Sequence, residues 1–362
     1  MLTTLVVMKA LVLAGGAGTR LRPLSHSMAK QLVPIANKPI LEHVLDAIRN
    51  LQVADIGIVV GDRADQVVQA IGDGSRFGAR VTYIPQERPL GLAHCVIVAR
   101  EFLGDDDFIM WLGDNVLPDG VAEIAEEFHA QGSAAQVVVQ KVADPRAFGV
   151  VELDLNGRVV SLAEKPRRPR SDLAIVGVYF FTPAVHEAVA RISPGSRGEL
   201  EITDAIQWLV DQGADVRARE YDGYWKDVGR PADVLDCNRR VLGDLSRDVA
   251  GEVDEASVLR GAVVVAPGAR VERSQIEGPV IIGTDSLVQG SRIGPDVSIG
   301  RGCVLTDTRV TNSIVMDGAA VTTVSGLAGS LVGRGATVAS GGRRRSRHLL
   351  VAGDDVRIEI AE

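Results

Sequence analysis

The sequence predicts an α/β sheet covered by helices on both faces, followed by a solenoid of short parallel strands. Three observations carry that prediction. Short apolar runs alternate with helical periodicity from Met8 to about Asp236, the pattern of a sheet sandwiched between helices. Helical periodicity disappears after Ala250, where small, apolar and glycine positions take over. Aliphatic residues then recur every 17 positions, and a sustained period of that kind marks stacked coils. With 362 residues the chain is long enough for two domains.

The first strand is expected over residues 10–14, an apolar run that stops at Gly15-Gly16-Ala17-Gly18-Thr19-Arg20. Three glycines in four residues let the backbone turn tightly and approach a ligand. Arg20, Arg22 and then Lys30 bring positive charge to a turn whose amides can face an anion. The stretch is neither a dinucleotide fingerprint nor a P-loop, because it lacks G-x-G-x-x-G and no Gly-Lys-Ser/Thr closes it. Apolar positions 41, 44, 45 and 48 predict a helix over 40–48. Strands follow at 56–60, 81–84 and 108–112, separated by helices near 64–71 and over 92–101. The fourth strand ends at Gly113-Asp114-Asn115. Ligand-binding groups in such folds gather beyond the carboxyl ends of the strands, where both the glycine turn and Asp114 stand. Further strands are expected at 134–141, 148–153, 159–163 and 174–181, with Gly157 turning the chain. Helices are expected at 183–192, at 201–212 and through Leu235 and Leu242.

In the solenoid, positions 265, 282 and 299, then 271, 288 and 305, then 276, 293 and 310 keep three registers of one period. Three registers imply three short strands per coil, each inward aliphatic stacking on its equivalents. Glycines at 278, 283, 290, 294, 300 and 302 allow the corners. The repeat weakens towards Ala339, and the basic run within residues 341–347 interrupts it. Residues 348–351 and 356–360 are expected to cap the open end or add a last strand pair.

Hydrophobic residues make up 46% and charged residues 24% of a chain whose formal net charge is -8. That is globular composition, and the acidic balance disfavours non-specific nucleic-acid binding. Three scattered cysteines, Cys95, Cys237 and Cys303, form no metal pattern or disulfide framework. No apolar run reaches membrane-spanning length, and residues 1–7 do not read as a signal peptide. The expectation is a cytoplasmic protein without nucleic-acid or membrane partners.

Two aspartates, Asp114 and Asp227, follow apolar or aromatic runs. Were they to converge on a triphosphate, they would suit Mg²⁺, which takes few carboxylates and shares phosphate ligands. A surface aspartate in a turn is the plainer reading of either alone. Glu164-Lys165 pairs an acceptor with a cation, matching a sugar hydroxyl and a phosphate, or else forms a surface ion pair. Arg197 precedes a helix start that Glu199 and Glu201 favour. Gln86 can donate and accept through its amide, as reading a pyrimidine edge requires, and Gly91 would let backbone approach a flat base. Six dispersed histidines make no zinc centre, and no Gly-x-Ser-x-Gly elbow is present. Positioning and charge stabilisation therefore fit phosphoryl or nucleotidyl transfer.

These residues resemble the nucleoside-triphosphate sugar-1-phosphate transferases, and among them the glucose-1-phosphate thymidylyltransferases of the longer form. The resemblance rests on Leu13-Ala-Gly-Gly-Ala-Gly-Thr-Arg-Leu-Arg-Pro23, Lys30-Gln-Leu-Val-Pro34, Asn37-Lys-Pro39, and Gln86 with Pro89-Leu-Gly-Leu-Ala-His94. It continues through Leu112-Gly-Asp-Asn115, Phe148-Gly-Val-Val-Glu152, Glu164-Lys-Pro166, Gly177-Val-Tyr179, residues 197–204 and Trp225-Lys-Asp-Val-Gly229. It implies a Rossmann-like nucleotidyltransferase domain with a mixed, mostly parallel sheet over 9–240, after an extension at 1–8. A linker at 241–250, a left-handed parallel β-helix over 251–342 and a cap or strand pair over 343–362 complete the expected order.

The resemblance further implies that glucose 1-phosphate attacks the α-phosphorus of dTTP, giving dTDP-glucose and pyrophosphate. Arg20 and Lys30 would hold the triphosphate charge, and Asp114 and Asp227 would hold Mg²⁺. Lys165 and Arg197 would secure the sugar phosphate, beside Gly149, Glu164 and Tyr179. Leu13, Gly15, Gly16, Gly18, Thr19, Arg20, Gln31, Gln86, Gly91 and Asp114 would line the nucleotide, in a chain expected to form a homo-oligomer. Ser25, Phe148 and Val228 stand where the family often has threonine, tyrosine and threonine. A uridylyltransferase making UDP-glucose on the same scaffold is the nearest alternative. A non-catalytic sugar-nucleotide sensor or scaffold is the other, against which the presence of Asp114, Lys165, Arg197 and Asp227 speaks. Acyl transfer by the solenoid is disfavoured, because no histidine falls between 250 and 340.

Overall fold

The computed structural model describes residues 8–340 and 348–360. The extension expected before Met8 and the basic interruption at 341–347 lie outside the described residues. The chain forms two compact units that do not follow chain order. The first joins residues up to Ala17 with Leu41–Asp227, and the second joins Gly18–Ile40 with Val228–Glu362.

The first unit is built on a mixed sheet, nine-stranded among the described residues. Its centre is Lys9–Leu13, parallel to Asp55–Val60 on one side and to Phe108–Leu112 on the other, and Arg80–Pro85 extends the parallel side. The strand Leu173–Phe181 joins antiparallel to Phe108–Leu112 and shares its far edge between Ala135–Lys141 and the hairpin Gly149–Leu153/Val159–Glu164. Lys9–Leu13 is nearly all buried, as a strand with helices on both faces must be. Leu11, Met110, Val137 and Phe181 of the sheet pack in one core with Val185, Ile202, Ile206 and Leu209 of the helices. The four parallel strands all run towards the same edge, so Gly15, Gly61, Gln86 and Gly113 follow their ends together.

The expected elements are found, with three differences among elements of four residues or more. The helix expected over 92–101 is two helices, Leu92–Val98 and Arg100–Leu103, divided at Ala99 (φ -88°, ψ 2°). The β-branched run Val96-Ile97-Val98 is stiff at χ1 and a poor continuation of a helix. Helix Ala122–Gln131 and strand Val216–Glu220 were not expected. The strand reads Val-Arg-Ala-Arg-Glu, a polar edge sequence, and pairs parallel with Ala135–Lys141.

In the second unit three parallel sheets form a left-handed β-helix. Val263, Val271 and Ile276 pair with Val280, Val288 and Ile293, residues 17 positions on, as the sequence period requires. Inward side chains from Val265 through Ile282, Ile299, Val315 and Val332 make one fully buried column. The repeat blurs because one coil is a residue shorter: Ile299 pairs with Val315 and Leu305 with Val321. The tail adds a further coil, since Val351–Ala352 lies parallel on Leu331–Val332 and Arg357–Ile360 on Thr337–Ser340. Hydroxyls reinforce one corner, where Ser257, Ser274 and Ser291 accept in turn from the backbone N–H of Ser274, Ser291 and Thr308.

The outer face of one sheet changes along its length. Its outward positions Val264 and Ile281 are half-buried, whereas Ser298, Ile314 and Leu331 are fully buried. Helix Pro231–Leu242 packs there against Ser313–Val315 and also against Pro34–Ile35. Gly18–Ile40 is thus an early piece of chain built into the β-helix unit.

Candidate functional site

In the first unit the strand ends form a glycine-lined corner. Ala14 N–H donates to Val59 O at 2.8 Å and Gly113 N–H to Leu13 O at 2.9 Å, so the chains stay close where the strands stop. A Cβ on Gly61 would stand 2.9 Å from Gly15 O, and one on Gly15 would stand 3.4 Å from Gln86 Oε1. Gly15 therefore lies against the amide that the sequence singles out, with exposed Gly16 following it. Gln86 is buried. Its Nε2 faces Gly91 O at 3.4 Å and His94 Nδ1 at 3.0 Å. A carbonyl only accepts, so Nε2 is the donor side and His94 accepts at Nδ1, carrying its proton on Nε2. Burial, then Arg88, lowers the His94 pKa and keeps the ring neutral in that role. Cys95, on the same turn, is held inert: burial pushes its thiol up to about 12.

Gly91 is required by its backbone, with φ 108° and ψ 172°. A Cβ there would meet Leu200 O at 2.4 Å. Leu200 O accepts from Ala93 N–H at 3.0 Å, and Leu200 N–H donates to Leu90 O at 2.7 Å. The base-side loop is thereby clamped to the chain that leads into helix Ile202–Asp211.

A small second sheet brings the backbone of Asp227 opposite the residue that follows Asp114. Asp114 follows Phe108–Leu112, and Lys226–Asp227 pairs antiparallel with Asn115–Val116, placing Asp227 opposite Asn115. Asn115 is the linchpin that sequence reading missed. Its Nδ2 donates to Asp114 Oδ1 at 2.9 Å, and its Oδ1 accepts from Trp225 Nε1 at 2.7 Å. Its carbonyl accepts from Trp111 Nε1 at 3.0 Å. Phe148 stands edge-on to Trp225 with centroids 5.1 Å apart. A polar residue next to an acid in a strand-end turn carries no distinctive sequence signal. Asp114 and Asp227, one backbone register position apart, are hard oxygen donors, residue types that fit Mg²⁺ with water and phosphate as remaining ligands. Among the described residues no group of three or more His, Cys, Asp or Glu stands ready for a metal, so a cage made of protein alone is absent there.

The third cluster holds the expected sugar-phosphate residues. Glu164 ends the strand Val159–Glu164, and Lys165 turns away with φ 43°. Glu164 Oε1 is 3.2 Å from Lys165 Nζ and 3.2 Å from Arg197 Nη2. Arg197 also binds Glu201 Oε1 through Nε at 3.0 Å and Nη2 at 2.7 Å. Glu201, nine-tenths buried, is a positioning residue for Arg197 that the sequence marked only as favouring a helix start. Burial raises the Glu164 pKa against the opposing pull of Lys165. Burial disfavours the charge on Arg197, but Glu201 and the neighbouring carboxylates outweigh it and hold its pKa above the ordinary value. Tyr179 is buried beside the cluster, and burial, then Glu164 and Glu201, keeps its phenol protonated. A Cβ on Gly149 would stand 3.3 Å from Glu164 Oε2 and 2.9 Å from Thr203 Cγ2.

The remaining expected residues belong to the second unit. Gly18 has φ 62° and lies against Lys30: a Cβ there would meet Lys30 Cβ at 2.8 Å. Ser25 Oγ donates to Gly18 O at 2.6 Å, so the family's usual threonine is replaced without loss of this hydroxyl. Thr19–Leu21 and Lys30–Leu32 are single 3₁₀ turns. Thr19 and Arg20 are exposed, while Lys30 is buried. The Arg20 guanidinium lies over Gly229, where a Cβ would stand 2.9 Å from Nη2. Gln31 is buried, and its Oε1 has no hydrogen-bond partner among the described residues.

Comparison with known proteins adds to this geometry. Residues 9–243 match the family described as nucleotidyl transferase, and residues 276–361 match the GMPPB C-terminal domain. A glucose-1-phosphate thymidylyltransferase of Streptomyces griseus is 58% identical over 267 residues, covering 74% of this chain and 75% of that protein. The low-salt glycan biosynthesis nucleotidyltransferase Agl11 of Haloferax volcanii is 43% identical, covering 72% and 74%. Among solved structures, a candidate glucose-1-phosphate thymidylyltransferase of Bacillus anthracis, in complex with sucrose, is 32% identical. It aligns with a TM-score of 0.62 over 67% of this chain and 98% of its own.

Proposed function

The chain belongs to the nucleotidyl transferase family, and on that premise we propose that it is an enzyme that transfers a thymidylyl group from dTTP to glucose 1-phosphate, releasing dTDP-glucose and pyrophosphate. The observation that carries the reading is the presence of two differently built clusters in the first unit of a chain that is 58% identical to a thymidylyltransferase over 267 residues. One is the Gly15–Gln86–Gly91 corner, suited to a flat base. The other is the Glu164–Lys165–Arg197 cluster, suited to a sugar bearing a phosphate.

A phosphate oxygen of glucose 1-phosphate, already ionised near neutrality, forms a bond to the α-phosphorus while the bond to pyrophosphate breaks in line. No strong general base is needed. Lys165 and Arg197 bind the sugar phosphate and align its oxygen. Glu164 accepts from sugar hydroxyls, with Tyr179 and Gly149 shaping the pocket. Gln86 and the Gly91 backbone meet the base edge, and Leu13, Gly15, Gly16 and Gln31 lie along the nucleotide. Gly18 and Thr19 present the turn from which Arg20 reaches the outgoing phosphates, and Lys30 neutralises charge as the leaving group departs. Mg²⁺, held by Asp114 and Asp227, would orient the triphosphate and stabilise charge on its oxygens.

Among the described residues no helix is long and apolar enough to cross a membrane. The cytoplasm, where nucleoside triphosphates are made, is the compartment that this substrate pair implies, and self-association of this chain is part of the same proposal. The test is the full chain with Mg²⁺ and glucose 1-phosphate, offered dTTP and UTP separately, while sugar nucleotide and pyrophosphate are followed. Product from dTTP at the higher kcat/KM is expected. Preference for UTP would move the assignment to a uridylyltransferase, and no product from either would end it.

A further inference from the structure

The signature turn is long, and its second half, Gly18–Ile40, belongs to the second unit. Within the second unit, Ala36 and Asn37 form the tip of the hairpin Pro34–Ile35/Lys38–Pro39, with φ 49° and 62°. Ala36 N–H donates to Asn238 Oδ1 at 2.8 Å. That same oxygen accepts from Ser298 Oγ at 2.7 Å. Asn37 Nδ2 donates to Ile299 O at 2.6 Å. Asn238 and Ser298 are both fully buried. A second anchor lies nearer Arg20: Ser27 Oγ donates to Asp354 Oδ2 at 2.7 Å, and Asp354 Oδ1 accepts from Arg334 N–H at 2.8 Å on the coil below.

The β-helix sequence carries an independent sign of this. Along the outward ladder Val264, Ile281, Ser298, Ile314 and Leu331, four positions are aliphatic and one is serine. A buried serine among aliphatics costs stability unless bonded, and its bond goes to the side chain that holds Ala36. The segment between the anchors is itself closely tied. Leu32 and Val33 N–H donate to Ala29 and Lys30 O, Ile40 N–H to Val33 O, and Gly18 packs on Lys30.

We propose that the β-helix is the mount of the catalytic anion segment: Asn238, Asn37 and Ser298 are positioning residues that set Arg20 and Lys30, so triphosphate turnover depends on the β-helix. The proposal rests on the nucleotidyl-transfer reading for its kinetic half. Its structural half stands on the contacts within the second unit.

The test uses full-length protein carrying Asn37→Gly, Ser298→Ala, Asn238→Leu or Asn238→Asp. Glycine at 37 keeps the left-handed backbone and loses only the amide donor, whereas aspartate at 238 keeps the acceptor. Hydrogen exchange of peptides from residues 19–35 is expected to quicken at least tenfold in Asn37→Gly and Asn238→Leu, with residues 280–282 unchanged. Asn238→Asp should stay within threefold of the parent. In the same two variants kcat/KM for dTTP should fall at least tenfold while KM for glucose 1-phosphate moves less than twofold. Unchanged exchange in residues 19–35 together with unchanged kcat/KM would overturn the proposal. Should Asn238→Leu fail to fold, Asn37→Gly and Ser298→Ala carry the test, and Ser298→Ala is expected to quicken exchange in the same peptides. A parent protein that makes no product would sink the nucleotidyl-transfer reading, and the exchange result alone would then decide the mount.

Discussion

Gly91→Ala isolates one clamp of the base-side loop. At φ 108° and ψ 172° the new Cβ is strained, about 1–3 kcal/mol for a backbone region nearly confined to glycine. The same Cβ would stand 2.4 Å from Leu200 O, a backbone atom already fixed by Ala93 N–H. Relief requires the loop to lift, which weakens the Ala93–Leu200 and Leu200–Leu90 hydrogen bonds at about 1 kcal/mol each. A local cost of about 3–5 kcal/mol follows, equivalent to roughly 150- to 5000-fold in a local opening constant. Amide exchange at Ala93 and Leu200 should quicken by that factor, and KM for dTTP should rise at least tenfold because Gly91 O is a partner of Gln86. Gly120→Ala is the control, since φ is 70° there with nothing within 4 Å of the new Cβ, leaving a conformational cost of about 1 kcal/mol. Should Gly91→Ala match Gly120→Ala in exchange at Ala93 and Leu200, with KM for dTTP unchanged, the clamp argument is wrong.

Three more outcomes follow from geometry already described. Asn115→Ala removes the group linking Asp114 to Trp225, and a tie of this kind behind a metal ligand is worth about 10–100-fold in metal affinity; the Mg²⁺ concentration for half-maximal turnover should rise accordingly, and an unchanged Mg²⁺ requirement would refute the role. Glu164→Gln tests the raised carboxyl: burial makes the folded chain hold this proton more tightly than the unfolded one, a contribution fully present below the unfolded pKa and lost as pH rises through the folded value. The stability of the variant minus that of the parent should therefore increase from pH 4 to pH 8 in urea titrations, and a flat or falling difference counts against the burial argument. Ser291→Ala strips the acceptor from buried Thr308 N–H at 3.1 Å and should cost about 1–3 kcal/mol in chemical unfolding, whereas a change below about 0.5 kcal/mol would mean the hydroxyl ladder carries no stability.

Periodicity carried most of the fold into the sequence. A 17-residue repeat names coil, sheet number and inward residues at once, because each stacked aliphatic has to match its equivalents. It faded where one residue was lost between Val310 and Val315, since a shift at one corner moves every later register without disturbing any pairing. Val216–Glu220 was hidden for a different reason: an edge strand can be polar, so nothing in Val-Arg-Ala-Arg-Glu demands a sheet. In the site, charged residues stood out and their holders did not. Arg197 and Glu164 were legible, but that Glu201 grips Arg197 depends on how helix Ile202–Asp211 begins, which only tertiary packing decides. Asn115 and Asn238 are ordinary amides in sequence and act through partners over a hundred or more positions away.

The way Gly18–Ile40 is built into the second unit sets a timetable for synthesis. Ala36 meets its partner 202 residues later, Asn37 meets Ile299 after 262, and Ser27 meets Asp354 after 327. At about 5–20 residues per second on the ribosome, Asp354 emerges roughly 15–65 s after Ser27. The parallel strands Lys9–Leu13, Asp55–Val60 and Phe108–Leu112 can assemble early, while Ser27, Ala36 and Asn37 wait for partners that are made much later. Until then those hydrogen bonds cannot close, and a ribosome stalled before the final coils would leave the Ser27–Asp354 contact unmade.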